Sequence, residues 1–126
     1  MRNTILLAAA AALASSAAAA PVQVRVTGTT NADSVLMKDI LQHVALFGAA
    51  FNCPAPSAVQ TSVIAPSRIA TSAEYRAPSD HAFYEEWKAD FCGKQQDFFI
   101  THWPDPNGGS FLKVSYPYPA GAPHGQ

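Results

Sequence analysis

Four histidines, nine carboxylates and two cysteines are the side chains of this sequence whose chemistry could go beyond packing. A metal or acid–base site would draw on His81, Glu85 and His102, with Asp105 close by in sequence. Imidazole and carboxylate together can hold a borderline metal or move a proton, provided they converge. A tight turn at Gly93-Lys94 would set Glu85 opposite His102 on one face of a hairpin. Cross-strand Glu–His pairs of this kind serve more often as local ion pairs than as ligand sets. The H-x-x-x-E spacing of His81 and Glu85 has no ligand meaning on a strand, and H-E-x-x-H is absent. His43 borders the apolar stripe of a helix, and His124 lies in the C-terminal tail. Glu85 and Glu86 are adjacent, so on a strand they point to opposite faces and cannot act as a paired acid and base. Nucleophile-elbow, phosphate-loop and dinucleotide fingerprints are all missing, so no catalytic residue and no cofactor is assigned.

Cys53 and Cys92 form an even pair, which in an oxidising compartment reads as one structural disulfide. The competing reading is a reactive thiol with a histidine base, but no C-x-x-C pair or nucleophile signature surrounds either residue. The stretch 85–109, "EEWKADFCGKQQDFFITHWPDPNGG", holds both tryptophans and three of the seven phenylalanines. Large rings fall on both of its faces. One set, Tyr84, Phe99 and Trp103, is either covered by other segments or forms a candidate binding surface for a partner.

The elements that must position these groups follow from periodicity. Val22, Val24 and Val26 alternate in a short first strand. Leu36, Ile40, Val44, Phe47 and Phe51 recur at helical spacing behind capping residues at 31–34, which predicts a helix over 34–50. Residues 58–65 alternate as a second strand on Val59, Thr61 and Val63, and a proline-punctuated connection follows. The strands at 81–92 and 97–103 form a hairpin with Trp87, Phe91, Phe98, Ile100 and His102 on one face. A wider turn would pair Phe91 with Phe98 and Ala89 with Ile100, the better-packed register. A strict two-residue turn at Asn107-Gly108 would put Leu112, Val114 and Tyr116 on the Trp103 face. Pro104 and Pro106 argue instead for a longer loop or bulge that resets the parity. The expected fold is α+β: one N-terminal helix on a four- to five-stranded antiparallel meander sheet, with one disulfide.

Residues 1–20 have the layout of a signal peptide, with Arg2 before an apolar, alanine-rich run and small residues at the cut. That divides the chain into a leader at 1–20, one domain over 21–118, and a tail at 119–126 that is expected to be disordered. Without Arg2 the chain keeps seven Lys plus Arg against nine Asp plus Glu, near minus two. A basic run is lacking, which argues against nucleic acid and anionic membranes as partners. Cleavage would leave no stable membrane anchor.

Glu85-x-Trp87, Cys92-Gly93, Pro104-Asp105-x-x-Gly108-Gly109 and the upstream Cys53-Pro54 and Val59 resemble a pattern in a group of small, uncharacterised exported proteobacterial proteins. The resemblance covers about half of the mature chain, implies export and a Cys53–Cys92 bridge, and carries no catalytic residues. The element order is also that of cystatin-like folds, an analogy of topology alone. Their inhibitory Q-x-V-x-G loop is not present, and "RIATSAEY" stands in its place. The expected function is a periplasmic or secreted, non-enzymatic domain that binds a protein or envelope component. The alternatives are a metal-binding protein or hydrolase using His81, Glu85 and His102, and a cystatin-like protease inhibitor.

Overall fold

The structure, a computed structural model, describes residues 23–69 and 75–125. The leader lies outside the described residues. Five strands, β1 (Arg25–Gly28), β2 (Ala58–Ile64), β3 (Phe83–Phe91), β4 (Lys94–Pro104) and β5 (Ser110–Ser115), lie in one sheet in chain order. One helix, α1 (Ser34–Leu46), packs on one face. The protein is therefore α+β with one disulfide, Cys53–Cys92.

Helix α1 begins where Asp33, extended at its own position, accepts from the Leu36 amide at 2.8 Å. Leu36, Ile40 and Val44 are its buried stripe. The helix does not run on to residue 50 as its periodicity suggested; a 3-10 turn, Phe47–Phe51, replaces its end. Gly48 explains the tightening. The Cys53 amide returns to the Gly48 carbonyl at 2.9 Å, and a Cβ on Gly48 would sit 2.1 Å from the Cys53 oxygen. Phe47 and Phe51 then reach Phe98, Phe91 and Tyr116 in an aromatic cluster with ring centroids 5.0–5.5 Å apart.

Three pairings are antiparallel, but β1 and β2 run parallel, with Val26 beside Val59 and Gly28 beside Thr61. The sheet is thus mixed rather than an all-antiparallel meander, because α1 serves as the crossover between two parallel strands. Gly28 has φ +100°, and a Cβ there would lie 2.0 Å from the Thr61 carbonyl oxygen. Only glycine lets the chain leave β1 that close to β2.

The β3–β4 register differs from both alternatives read from sequence. Phe91 pairs with Lys94 and Trp87 with Phe98, around a two-residue turn made by Cys92 and Gly93. Both residues take positive φ, 52° and 89°, as a primed hairpin turn demands. All three registers share parity, so Trp87, Ala89, Phe91, Phe98 and Ile100 still face the helix, as expected. The parity reset at the next turn also holds. Pro104 pairs with Ser110 across residues 105–109, and Leu112 and Val114 therefore sit with His102 and Ile100 on the helix face.

The second face is covered. Ile64, Tyr84 and Phe99 are buried there beneath Ile69, Tyr75, Ala77 and Ala82 of the β2–β3 connection and Tyr118 and Ala122 of the tail. Residues 119–125, expected to be disordered, lie instead on this face, with Ala122 6 % exposed and the Gly125 amide bonded to Glu86.

Candidate functional site

β3 presents two consecutive glutamates to opposite faces of the sheet, and both are buried: Glu85 is 0 % and Glu86 1 % exposed. Each has a histidine partner, so charge burial is compensated on both faces.

On the helix face, Glu85 Oε2 meets His102 Nε2 at 2.6 Å. The two are not directly opposite. Glu85 faces Ile100 on β4, and His102 faces Phe83 on β3, so the pair is diagonal across the strands. The Trp87 indole N–H donates to Glu85 Oε1 at 3.2 Å, and the Asn31 amide donates to Oε2 at 3.3 Å. Burial would push the Glu85 carboxyl up, but hydrogen bonds from His102, Thr30 and Trp87, with the His102 charge, outweigh it and hold the group below the usual carboxylate range. Phe83 stacks on the His102 ring at 5.2 Å, and His102 is only 2 % exposed. Both side chains are buried, and their hydrogen bonds join β3, β4 and the loop before α1.

The alternative metal set of His81, Glu85 and His102 does not come together among the described residues. His81 is exposed at the end of the connection, its amide bonded to Ser79, while the other two are sealed in the core. Asp105 turns its carboxylate to the Asn107 amide within the β4–β5 turn. His43 is exposed and donates to the Asp39 carbonyl one helical turn back.

Sequence reasoning missed the second dyad. Glu86 Oε2 lies 2.7 Å from His124 Nδ1, and Glu86 Oε1 accepts from the Gly125 amide at 3.1 Å. The His124 ring stacks on Tyr118 at 4.4 Å with 10° between planes, and the Arg68 guanidinium holds the His124 carbonyl. Ligand atoms of Glu86, Asp97 and His124 all lie within 4.8 Å of one another, the one such triad among the described residues. Burial, then the negative charges of Glu86 and Asp97, push the Tyr118 hydroxyl well above the ordinary phenol range. The signal available in sequence was Glu86 itself, an inward carboxylate on an aromatic face that had to find a partner.

The candidate binding surface is partly withdrawn and partly kept. Tyr84 and Phe99 are 5 % and 2 % exposed, and the Tyr84 hydroxyl accepts from the Ala77 amide, so neither forms an open patch. Trp103 is half-buried and stacks near Phe111. With Phe99 it floors a groove of about 290 Å³ between residues 75–78 of the connection and Pro119 of the tail. Tyr75, Arg76 and Lys113 stand along it, with Thr101 and Ser115 between, and none of the described residues that line it is a carboxylate. Comparison with protein-family models, curated proteins and solved structures found no match for this chain.

Proposed function

We propose that the chain is an exported, non-enzymatic binding domain that takes an acidic peptide segment of a partner protein into the groove on its second face. The lining of that groove carries the reading: two cations, Arg76 and Lys113, beside the rings of Tyr75 and Trp103, with no carboxylate among the described lining residues. Aromatic side chains supply contact area at low conformational cost, and paired cations select carboxylates. Export is supported by the leader-like sequence of residues 1–20 and by a disulfide, which persists in oxidising compartments. A binding role is supported over catalysis because Glu85, Glu86 and His102 are all at least 98 % buried and already engaged.

Trp103 makes the reading testable. Trp87 is fully buried, whereas Trp103 lines the groove, so with excitation selective for tryptophan ligand entry should change only one of the two indoles. Titration with glutamate- and aspartate-rich peptides should give a saturable emission change. The same peptides with amidated carboxyls, and the Arg76→Gln, Lys113→Gln double variant, should give none. An equal response from amidated peptides or from the double variant, or no saturable response to acidic peptides, refutes the reading.

A further inference from the structure

We propose that Glu86, Asp97 and His124 form a site for a divalent transition metal of the zinc class, which fastens the C-terminal tail to the second face of the sheet. The buried Glu86 carboxylate is held by two tail residues, His124 through Nδ1 and Gly125 through its amide, although it sits in the middle strand of the sheet. Asp97 is one strand over on the same face, half-buried, with Oδ1 accepting from Gln95 at 3.2 Å. Lys88, its cross-strand neighbour, makes no ion pair with it. Two carboxylates therefore face one imidazole with no lysine or arginine bridging them among the described residues.

One nitrogen and two oxygen donors suit zinc and its neighbours rather than magnesium or calcium, which favour all-oxygen shells. Zinc bonds of about 2.0–2.2 Å place tetrahedral ligands roughly 3.3–3.6 Å apart. The three ligand atoms lie within 4.8 Å, and a small adjustment is needed in which His124 Nδ1, 2.7 Å from Glu86 Oε2, moves out to admit the ion while Asp97 moves in. It falls on Asp97 and on His124, whose side chain is 61 % exposed, and not on the buried Glu86. Coordination would replace the proton that His124 Nδ1 shares with Glu86, and that proton leaves to solvent. Tyr118 stacked on the ring, Arg68 on the His124 carbonyl and Gly125 on the other Glu86 oxygen are the supports that orient such ligands. Water completes the shell. This inference is independent of the groove, which shares none of the three ligands.

The test uses the oxidised full chain, stripped with chelator and titrated with zinc chloride by calorimetry. Wild type should bind one equivalent. His124→Ala should abolish binding, and Asp97→Asn should weaken it at least tenfold. His43→Ala and His81→Ala, at exposed histidines, should leave it unchanged. Asp97 and His124 carry the test because both are accessible, whereas Glu86 variants could fail to fold. Hydrogen exchange at the Gly125 amide supplies a second readout. Zinc should slow it in wild type and not in His124→Ala. Absence of saturable binding, binding unchanged in His124→Ala or Asp97→Asn, or exchange at Gly125 indifferent to zinc overturns the proposal.

Discussion

Replacing both cysteines by alanine removes a cross-link whose size is set by the fold. Cys53 follows the 3-10 turn after α1, Cys92 is the first turn residue between β3 and β4, and 39 positions separate them. A ring of that size lowers unfolded-chain entropy by about 13 cal/mol/K on the chain-entropy relation, or about 4 kcal/mol at 25 °C. For a domain of roughly a hundred residues this corresponds to a midpoint lowered by about 15–30 °C. The structure adds a second, smaller effect at the same position. Cys92 holds φ 52° and is followed by Gly93 at φ 89°, a turn for which Asn-Gly is the favoured pair. The variant Cys53→Ala, Cys92→Asn should therefore recover about 1 kcal/mol relative to the double alanine variant. Urea unfolding followed by far-ultraviolet circular dichroism, at fixed pH, measures all three proteins. Reduced wild type should match the double alanine variant. A loss under about 1 kcal/mol, or an asparagine variant no more stable than the alanine one, would refute the reasoning.

Other outcomes follow from the two dyads and the close backbone approaches. Glu85→Ala leaves His102 buried without its acceptor and should cost about 3–5 kcal/mol in denaturant unfolding; an effect under 1 kcal/mol would show the pair to be dispensable. Because the folded Glu85 carboxyl lies below its ordinary value of 4.5, its stabilisation is fully present above that pH and is lost as pH falls through the lower folded value. Thermal melts from pH 6 to pH 2 should show that acid loss in wild type and a shallower one in Glu85→Gln; parallel curves would contradict the assignment. Gly28→Ala should separate β1 from β2, seen as fast exchange at the Thr29 amide, which bonds to the Thr61 carbonyl at 3.1 Å. Gly125→Ala should undock the tail, since its Cβ would meet the Ser62 side chain at 1.8 Å; unchanged Tyr118 exposure in that variant would count against the docking.

Face assignment was legible in the sequence because it depends only on parity. Every even-length turn between β3 and β4 puts Trp87, Phe98 and Ile100 on the helix side, so the core could be named before the register was known. The register itself was not legible. It rests on Cys92 adopting positive φ, and cysteine gives no turn signal comparable to glycine or asparagine. The direction of β1 was hidden for a related reason. Four residues that alternate can pair either way, and α1 decides by carrying the chain back across the sheet. The Glu85–His102 contact survived a wrong register because diagonal neighbours remain within reach of long side chains. The tail failed on composition. Proline, glycine and alanine at 119–125 look like a disordered end, and the anchor that holds them, Glu86, lies 38 residues from His124. Nothing local marks that pairing.

The order of the strands across the sheet repeats their order along the chain, and this bears on how the protein assembles in time. Turns of a few residues close β3 on β4 and β4 on β5, so these pairings have little loop entropy to overcome and form on the timescale of hairpins. β1 stands apart. Its partner comes only after a complete helix and the 3-10 turn behind it, and the contact is parallel. Strand addition should therefore sweep from the Cys92–Gly93 turn outward and reach β1 last. Pulse-labelled exchange would show protection at Thr29 lagging behind that of β3 and β4, and simultaneous protection would mean that the sheet condenses as one unit. Until β1 joins, the β2 edge is an unpaired template, and in that interval the nascent fold is most open to pairing with a second copy of itself.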